Sequence, residues 1–191
     1  MNVILASQSP RRKSLMELFH VPFTVRVADV DETMDQKKSP YDEVARLSRQ
    51  KALAVKPGAS EVVVAADTVV VCDGKVLGKP HSPEEAREML SLLSGRAHQV
   101  MTGLTVICND QAQTVTEVTE VHFRPVSPGE IENYVATEEP MDKAGAYAIQ
   151  GGGAVFVQRI SGDYYNVVGL PVCRLWQVLA AMAPQLLEGK E

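Results

Sequence analysis

The sequence predicts an α/β fold: a mixed, strongly twisted sheet flanked by helices, with two lobes and a central cleft. Three observations predict it. Apolar runs of strand length alternate with stretches of helical period along the chain. Ser9-Pro10, Ser39-Pro40, Ser82-Pro83 and Ser127-Pro128 each join a capping serine to a first-turn proline, and so mark helix starts. Residues 62–71, Val-Val-Val-Ala-Ala-Asp-Thr-Val-Val-Val, are apolar on both faces except at their middle, the pattern of a central strand covered on both sides.

The elements follow in order. Residues 3–6 form a short strand, and the helix from Pro10 carries Leu15, Leu18 and Phe19 on one face. A second strand covers 23–27. The helix opened by Ser39-Pro40 runs to Val55, where Lys56-Pro57-Gly58 stops it. After the valine strand, Asp73-Gly74 marks a hairpin turn. Ser82-Pro83-Glu84-Glu85 reads as a capping box for a helix that ends at Gly95. Strands at 99–108 and 114–123 flank Asn109-Asp110 and pair as a hairpin, and Ser127-Pro128-Gly129-Glu130 starts another helix. Residues 154–160 and 164–168 read as strands, and Pro171 opens an amphipathic C-terminal helix. Turn-rich segments near 73–80, 145–153 and 162–171 are the basis for expecting two lobes and a cleft within one domain spanning 1–191.

Composition excludes several classes. An apolar content of 45% with 23% charged residues is ordinary globular usage, which excludes a disordered chain. Lys plus Arg number 19 against 24 Asp plus Glu, a net charge of −5, which argues against a nucleic-acid partner held by phosphate neutralisation. Cys72, Cys108 and Cys173 are odd in number and form no CxxC pair, so neither a disulfide framework nor a zinc site is indicated. Residues 1–7 lack the basic region of a signal peptide, and no apolar stretch is long enough to span a bilayer. A reduced cytoplasmic protein with no membrane association is the expectation.

Several positions carry chemistry. Ser7-Gln8-Ser9-Pro10-Arg11-Arg12-Lys13 places three cations where a strand feeds a helix. The helix start offers N–H groups, and Arg11 and Arg12 offer forked donors suited to phosphate oxygens. The alternative is a solvated basic turn, although cations at a helix N-terminus oppose its dipole. Asp67 is a carboxylate amid six valines and two alanines, costly unless satisfied. It could hold a divalent metal, act as general base on water, or be bonded structurally with Thr68 sharing the local bonding. Lys51 falls where the stripe Val44, Leu47, Ala54, Val55 expects an apolar residue. Its ammonium either snorkels outward or points into a pocket toward an anion.

Gly78-Lys79-Pro80 restricts the direction of Lys79 but is no Walker loop, and an exposed lysine at a hairpin end is the other reading. Asp29-Val30-Asp31-Glu32 is either a polar turn or a source of a metal carboxylate, with Glu32 the candidate. Residues 139–153 end in Gln150-Gly151-Gly152-Gly153. Small residues there let backbone approach a planar ligand, and the Gln150 amide can pair with a base edge; a Gly-rich turn between packed elements is the alternative. The four histidines have no ligand spacing and no serine sits in a nucleophile elbow.

Taken together these segments resemble the Maf family of nucleoside triphosphate pyrophosphatases. The resemblance rests on Ala6-Ser7-Gln8-Ser9-Pro10-Arg11-Arg12, Val30-Asp31-Glu32, Lys51, Ala66-Asp67-Thr68-Val69-Val70, Gly78-Lys79-Pro80, Asp142 through Gly151, and Gly162 through Pro171. They span nearly the whole chain in family order. The resemblance implies hydrolysis of the α–β phosphoanhydride of a nucleoside triphosphate to a monophosphate and pyrophosphate, with a divalent cation, Mg or Mn. It implies Asp67 as proton acceptor; Asp67 then serves as base, as metal ligand or as both, with Glu32 sharing the metal. Substrate contacts are expected from Ser7, Arg11, Arg12, Glu32, Lys51, Thr68, Lys79 and Gln150. Arg11, Thr68 and Gln150 match positions linked to base preference, and Arg11-Arg12 with Gln150 resembles the subgroup acting on dTTP and UTP. A homodimer is also implied, although Leu175, Trp176 and Leu179 on the last helix would serve equally as internal core. The competing reading is a nucleotide-sensing regulatory module linked to division, without turnover.

Overall fold

The structure, a computed structural model, describes residues 1–187. Seven strands form one sheet in the order β2-β1-β3-β5-β6-β7, with β4 paired to β3. The strands are β1 (Asn2–Leu5), β2 (Phe23–Val25), β3 (Glu61–Cys72), β4 (Lys75–Leu77), β5 (Ala97–Cys108), β6 (Gln111–Phe123) and β7 (Val157–Ser161). The helices are α1 (Pro10–Glu17), α2 (Pro40–Ala54), α3 (Pro83–Leu93), α4 (Pro128–Val135), α5 (Tyr164–Val168) and α6 (Val172–Met182). β1 runs parallel to both β2 and β3, while β4 pairs with β3 and β7 with β6 in antiparallel register. The sheet is therefore mixed, with helices around it.

The Ser-Pro starts form as the side-chain chemistry dictates. Ser9, Ser39, Ser82 and Ser127 are all N-caps, each hydroxyl accepting an N–H of the first turn. The reciprocal capping box closes at Ser127 and Glu130. At Ser82 only half of it forms, because the Glu85 carboxylate takes the His81 N–H instead. The Asp73-Gly74 turn has φ of 50° and 76°, and Asn109 and Asp110 sit at 49° and 63°, the left-handed pair that two-residue hairpins need.

Three expectations are corrected. Leu18 is 51% exposed, and Met16 takes its place beside Leu15 and Phe19; α1 ends at Glu17, so the helical period no longer governs position 18. Residues 152–156 form a short 3-10 turn, and the strand begins only at Val157. Residues 164–168 are helix α5, not strand. Their aromatic and branched side chains favour a strand, but tertiary hydrogen bonds win. Asp163 Oδ1 accepts the Tyr165 N–H at 2.8 Å, and the buried Asn166 amide donates to Val100 O at 3.0 Å and Thr119 Oγ1 at 2.9 Å.

The chain divides into two compact units, the first comprising Met1–Asp67, Thr102–Glu117 and the chain from Gly169, the second Thr68–Met101 and Val118–Val168. In the first, Ile4, Ala6, Val63, Ala65 and Ile107 of the sheet region pack with Ala52 and Val55 at the end of α2. Gly103 on β5 fixes how closely α2 lies, since a Cβ there would stand 2.1 Å from Val44 O. In the second, α3, α4 and Phe156 close a core that contains His98, Phe123 and Tyr147 in edge-to-face contact. His98 is 3% exposed, and its Nε2 shares a 2.9 Å hydrogen bond with the Tyr147 hydroxyl.

Gly103→Ala is expected to lower stability by about 1–3 kcal/mol, because the new methyl meets backbone rather than a movable side chain. Thermal melts should fall by several degrees, and an unchanged midpoint would show that α2 yields freely there. Burial, reinforced weakly by His122, lowers the His98 pKa from 6.5 to about 4. The unfolded chain then binds a proton below pH 6.5 that the native state refuses until about pH 4. Stability is thus whole above pH 6.5 and falls as pH drops, by roughly 2 kcal/mol between pH 7 and 5. Melts of the native protein and of His98→Gln at these two pH values measure it, the variant losing that part of the slope.

Candidate active site

The site of the first unit begins at the carboxyl ends of the parallel pair β1 and β3. β1 stops at Leu5, the Ala6 N–H still bonds Val64 O at 2.8 Å, and the chain then turns through Ser7 into α1. Parallel strands open at their carboxyl ends, which is where α/β proteins bind ligands. Ser7 is 8% exposed, and its hydroxyl accepts from the Ser9 N–H at 3.2 Å and from Arg12 Nη1 at 3.3 Å. Arg12 Nε donates to Gly169 O at 2.8 Å, so the guanidinium is pinned from both sides. Burial pulls the Arg12 pKa below its usual value, opposed chiefly by the attraction of Asp67, with Arg11 adding to the lowering and Glu32 to the opposition. Arg12 thus lies in the field of two carboxylates and one neighbouring cation.

Asp67 completes the group. On β3, side chains alternate between faces, so Val63, Ala65 and Asp67 share one face. Val63 and Ala65 pack against Ala52 and Val55 of α2, and Lys51 precedes Ala52. The lysine therefore reaches the carboxylate across that packing. Lys51 Nζ lies 2.5 Å from Asp67 Oδ1 and 2.9 Å from Glu32 Oε2, with its side chain 14% exposed. Of its two sequence readings, the inward-pointing ammonium is the one that forms, and it meets the protein's own carboxylates. Asp67 is 7% exposed, satisfied in its valine-rich strand by this ion pair.

Glu32 is held in place by residues that the sequence reading passed over. Glu43, fully buried on α2, accepts from the Asp35 N–H at 2.8 Å and takes Arg46 Nε and Nη2 at 2.9 and 2.8 Å. Arg46 Nη2 also donates to Thr33 O at 2.9 Å. This pair fastens the 31–35 loop to the same helix that carries Lys51. Hydrogen bonding from Arg46 brings the Glu43 carboxyl down to about 2, so it stays ionised throughout the physiological range. The signal was present as an i,i+3 acid–base pair beside Val44, but such pairs read as solvated helix surface.

Arg11, Thr68, Lys79 and Gln150 are the remaining residues. Arg11 stands in the first turn of α1, half-buried. Thr68 follows Asp67 on β3 and, by alternation, faces the other way, as the first residue of the second unit. Lys79 and Gln150 are exposed residues of that unit. Their loops meet, since Gly145 N–H donates to Gly78 O at 3.0 Å. Gly145 has φ 71° and presses on Val70, where a Cβ would lie 2.8 Å from a valine methyl.

Among the described residues, no three His, Cys, Asp or Glu side chains are arranged to hold a metal by themselves. The pair Asp67 and Glu32 nevertheless fits a hard divalent cation. Both carboxylates already converge on one positive centre, and Mg²⁺ is commonly held by one or two carboxylates together with substrate phosphates rather than by a protein cage.

The Maf-like protein family matches residues 2–182. The dTTP/UTP pyrophosphatase of Bacillus cereus (strain B4264) is 52% identical over 174 residues, 91% of either chain. That of Bacillus mycoides (strain KBAB4) is 53% identical over 174 residues, again 91% of each. Among solved structures, a HAM1 protein from Coxiella burnetii superposes with a TM-score of 0.52 at 15% identity over 95% of this chain and 99% of that one, a likeness of fold. The match over nearly the whole length, through every segment that builds the ion-pair cluster, places this chain in the Maf family.

Proposed function

We propose that the chain is a nucleoside triphosphate pyrophosphatase that hydrolyses dTTP and UTP to the monophosphate and pyrophosphate. Supporting the substrate class are the relatives named dTTP/UTP pyrophosphatase, at 52% and 53% identity over 91% of this chain. The observation that carries the chemistry is the near-buried Asp67 carboxylate held by Lys51, which also holds Glu32, in the field of Arg12. A polyanion needs several fixed cations at one place, and an ionised base needs a partner that keeps it charged and oriented.

In this reading Arg11, Arg12 and the Ser7 hydroxyl receive phosphate oxygens at the start of α1, where the helix dipole adds to the attraction. Arg12, pinned to Gly169 O and Ser7 Oγ, keeps its direction without needing the substrate to order it. Asp67 accepts the proton of the attacking water, whose oxygen bonds to the α-phosphorus as the α–β anhydride opens and pyrophosphate leaves. Lys51 holds that carboxylate in place and offsets negative charge at the phosphates. A divalent cation, Mg or Mn, held by Asp67 and Glu32 with the triphosphate, would neutralise charge on the phosphates and acidify the water. Thr68, Lys79 and Gln150 are proposed as further substrate contacts, Lys79 to phosphate and Gln150 to the base. The cytoplasm is the proposed compartment, in keeping with three unpaired cysteines, two of them buried. Self-association as a homodimer is part of the same proposal; Leu175 and Leu179 are internal core, while Trp176 is 44% exposed and stacks on Phe19 at 6.1 Å.

Purified protein with Mg²⁺ or Mn²⁺ should release pyrophosphate, not orthophosphate, from dTTP and UTP faster than from ATP or GTP, and chelation should stop it. Asp67→Asn should lower kcat by roughly 10²–10⁴ with the fold retained by circular dichroism. Full turnover in that variant would remove Asp67 from the reaction. Arg12→Lys keeps the charge but loses the two-sided anchoring, so kcat/KM should drop about 10- to 100-fold, and wild-type values would mean that Arg12 acts only as a charge.

A further inference from the structure

We infer that Tyr134 is a positioning residue that sets nucleobase selectivity, by holding the turn that presents Gln150. The inference deepens the functional proposal above and rests on its reading that Gln150 meets the base. Tyr134 lies on α4, 6% exposed, with its ring packed edge-on against Phe156 at 5.2 Å in the core of the second unit. Packing alone would be met by phenylalanine. A hydroxyl placed in that core is costly unless bonded, so where its bonds go reports what it is for.

The bond it makes goes to the Gln150 turn. The Ala148 N–H donates to Tyr134 Oη at 3.0 Å, and Gly153 packs against the same oxygen, where a Cβ would stand 3.0 Å away. Burial, together with the neighbouring Glu139 carboxylate, raises the phenol's pKa, so it stays neutral. Ala148 and Gly153 bracket Gln150, and the turn between them is closed by the Gly151 N–H to Ala148 O at 3.1 Å. Gln150 is exposed at its tip, while Ala148 and Gly153 are buried.

The contact is tight on both sides of that oxygen. A Cβ on Gly151 would lie 2.0 Å from Glu139 Oε1, and one on Gly152 would lie 3.1 Å from Tyr134 Cε2. A side chain at either position would therefore have to displace the Glu139 carboxylate or the Tyr134 ring. Upstream, Gly145 at φ 71° and Ala146 at φ 58° hold consecutive left-handed conformations, and for alanine this is strained. Such backbone persists only where its surroundings over-determine it. The Gly78 carbonyl secures one end of the segment, through the Gly145 N–H, and the Tyr134 phenol secures the other.

The test is Tyr134→Phe in the full-length chain, which keeps the ring and deletes the acceptor of the Ala148 N–H. The readout is kcat/KM for dTTP divided by kcat/KM for dATP, each from pyrophosphate release. The ratio is expected to fall about fivefold or more, with the loss falling mainly on the KM of dTTP. A residue that merely supported the fold would lower both nucleotides together and leave the ratio alone, and that result overturns the inference. Gly151→Ala, which displaces the turn from the other side, is the second variant should the first fail to fold, and the same ratio decides. Gln150→Ala separates the two proposals. A ratio that collapses in Gln150→Ala but holds in Tyr134→Phe overturns only the role of Tyr134. A ratio that holds in Gln150→Ala overturns the base-reading assignment itself.

Discussion

The Lys51 ammonium, shared by Asp67 and Glu32, is the interaction on which the arrangement of this protein turns. Asp67 stands in a strand whose neighbours are valines and alanines, and an isolated carboxylate there would bear a desolvation cost of several kcal/mol. Lys51 removes that cost only because α2 lies close enough for its side chain to arrive. Gly103 sets this approach by letting the Val44 carbonyl sit against the β5 backbone, and the apolar stripe of α2 sets the rotation. Glu32, the second acid, comes through a loop fastened by Glu43 and Arg46 to the same helix. One helix therefore determines the spacing of all three charges.

Stability does not explain such a cluster. Largely buried ion pairs are often no more stabilising than well-packed apolar residues of similar size, because the desolvation of both partners offsets their attraction. A valine at position 67 and a leucine at 51 would suit this strand and this stripe better. That the fold retains charges at two positions patterned for apolar side chains is the kind of local inconsistency that marks functional sites. The same reasoning applies at α1. Two arginines and no acid occupy its first turn, against the helix dipole, and the protein spends side-chain bonds to Ser7 and Gly169 in keeping one of them in place.

Much of this was legible in the sequence, for reasons that differ residue by residue. The serine caps are local chemistry, decided within four residues, and all formed. Asp67 and Lys51 were visible because each breaks a periodic pattern, which needs no tertiary knowledge to detect. Glu43 and Arg46 break nothing, since an acid–base pair at i,i+3 is what a solvated helix face displays, and only the path of the 31–35 loop buries it. Gly103 is a lone glycine in a strand, and its reason is a carbonyl about sixty residues away along the chain. Residues 164–168 show the converse. Their composition states a strand, but Thr119 and Val100 offer bonds to Asn166 that only a helical turn satisfies. Gly103 and residues 164–168 were fixed by partners distant in sequence, whereas Leu18 was misplaced because α1 stops at Glu17.

Alternation along β3 separates two kinds of chemistry at adjacent positions. Asp67 shares its face with Val63 and Ala65 and so joins the α2 charges; Thr68 is turned to the opposite face and belongs to the unit that carries Lys79 and Gln150. A one-residue slip in the β1–β3 register, which pairs Leu5 with Val64, would exchange these faces and bring a hydroxyl to Lys51 in place of a carboxylate. The Lys51–Asp67 ion pair opposes that slip, since it would leave the ammonium without its buried carboxylate. The long valine run therefore does more than fill the core. Alternation along it delivers a charge to one face of β3 and a neutral hydrogen-bonding group to the other.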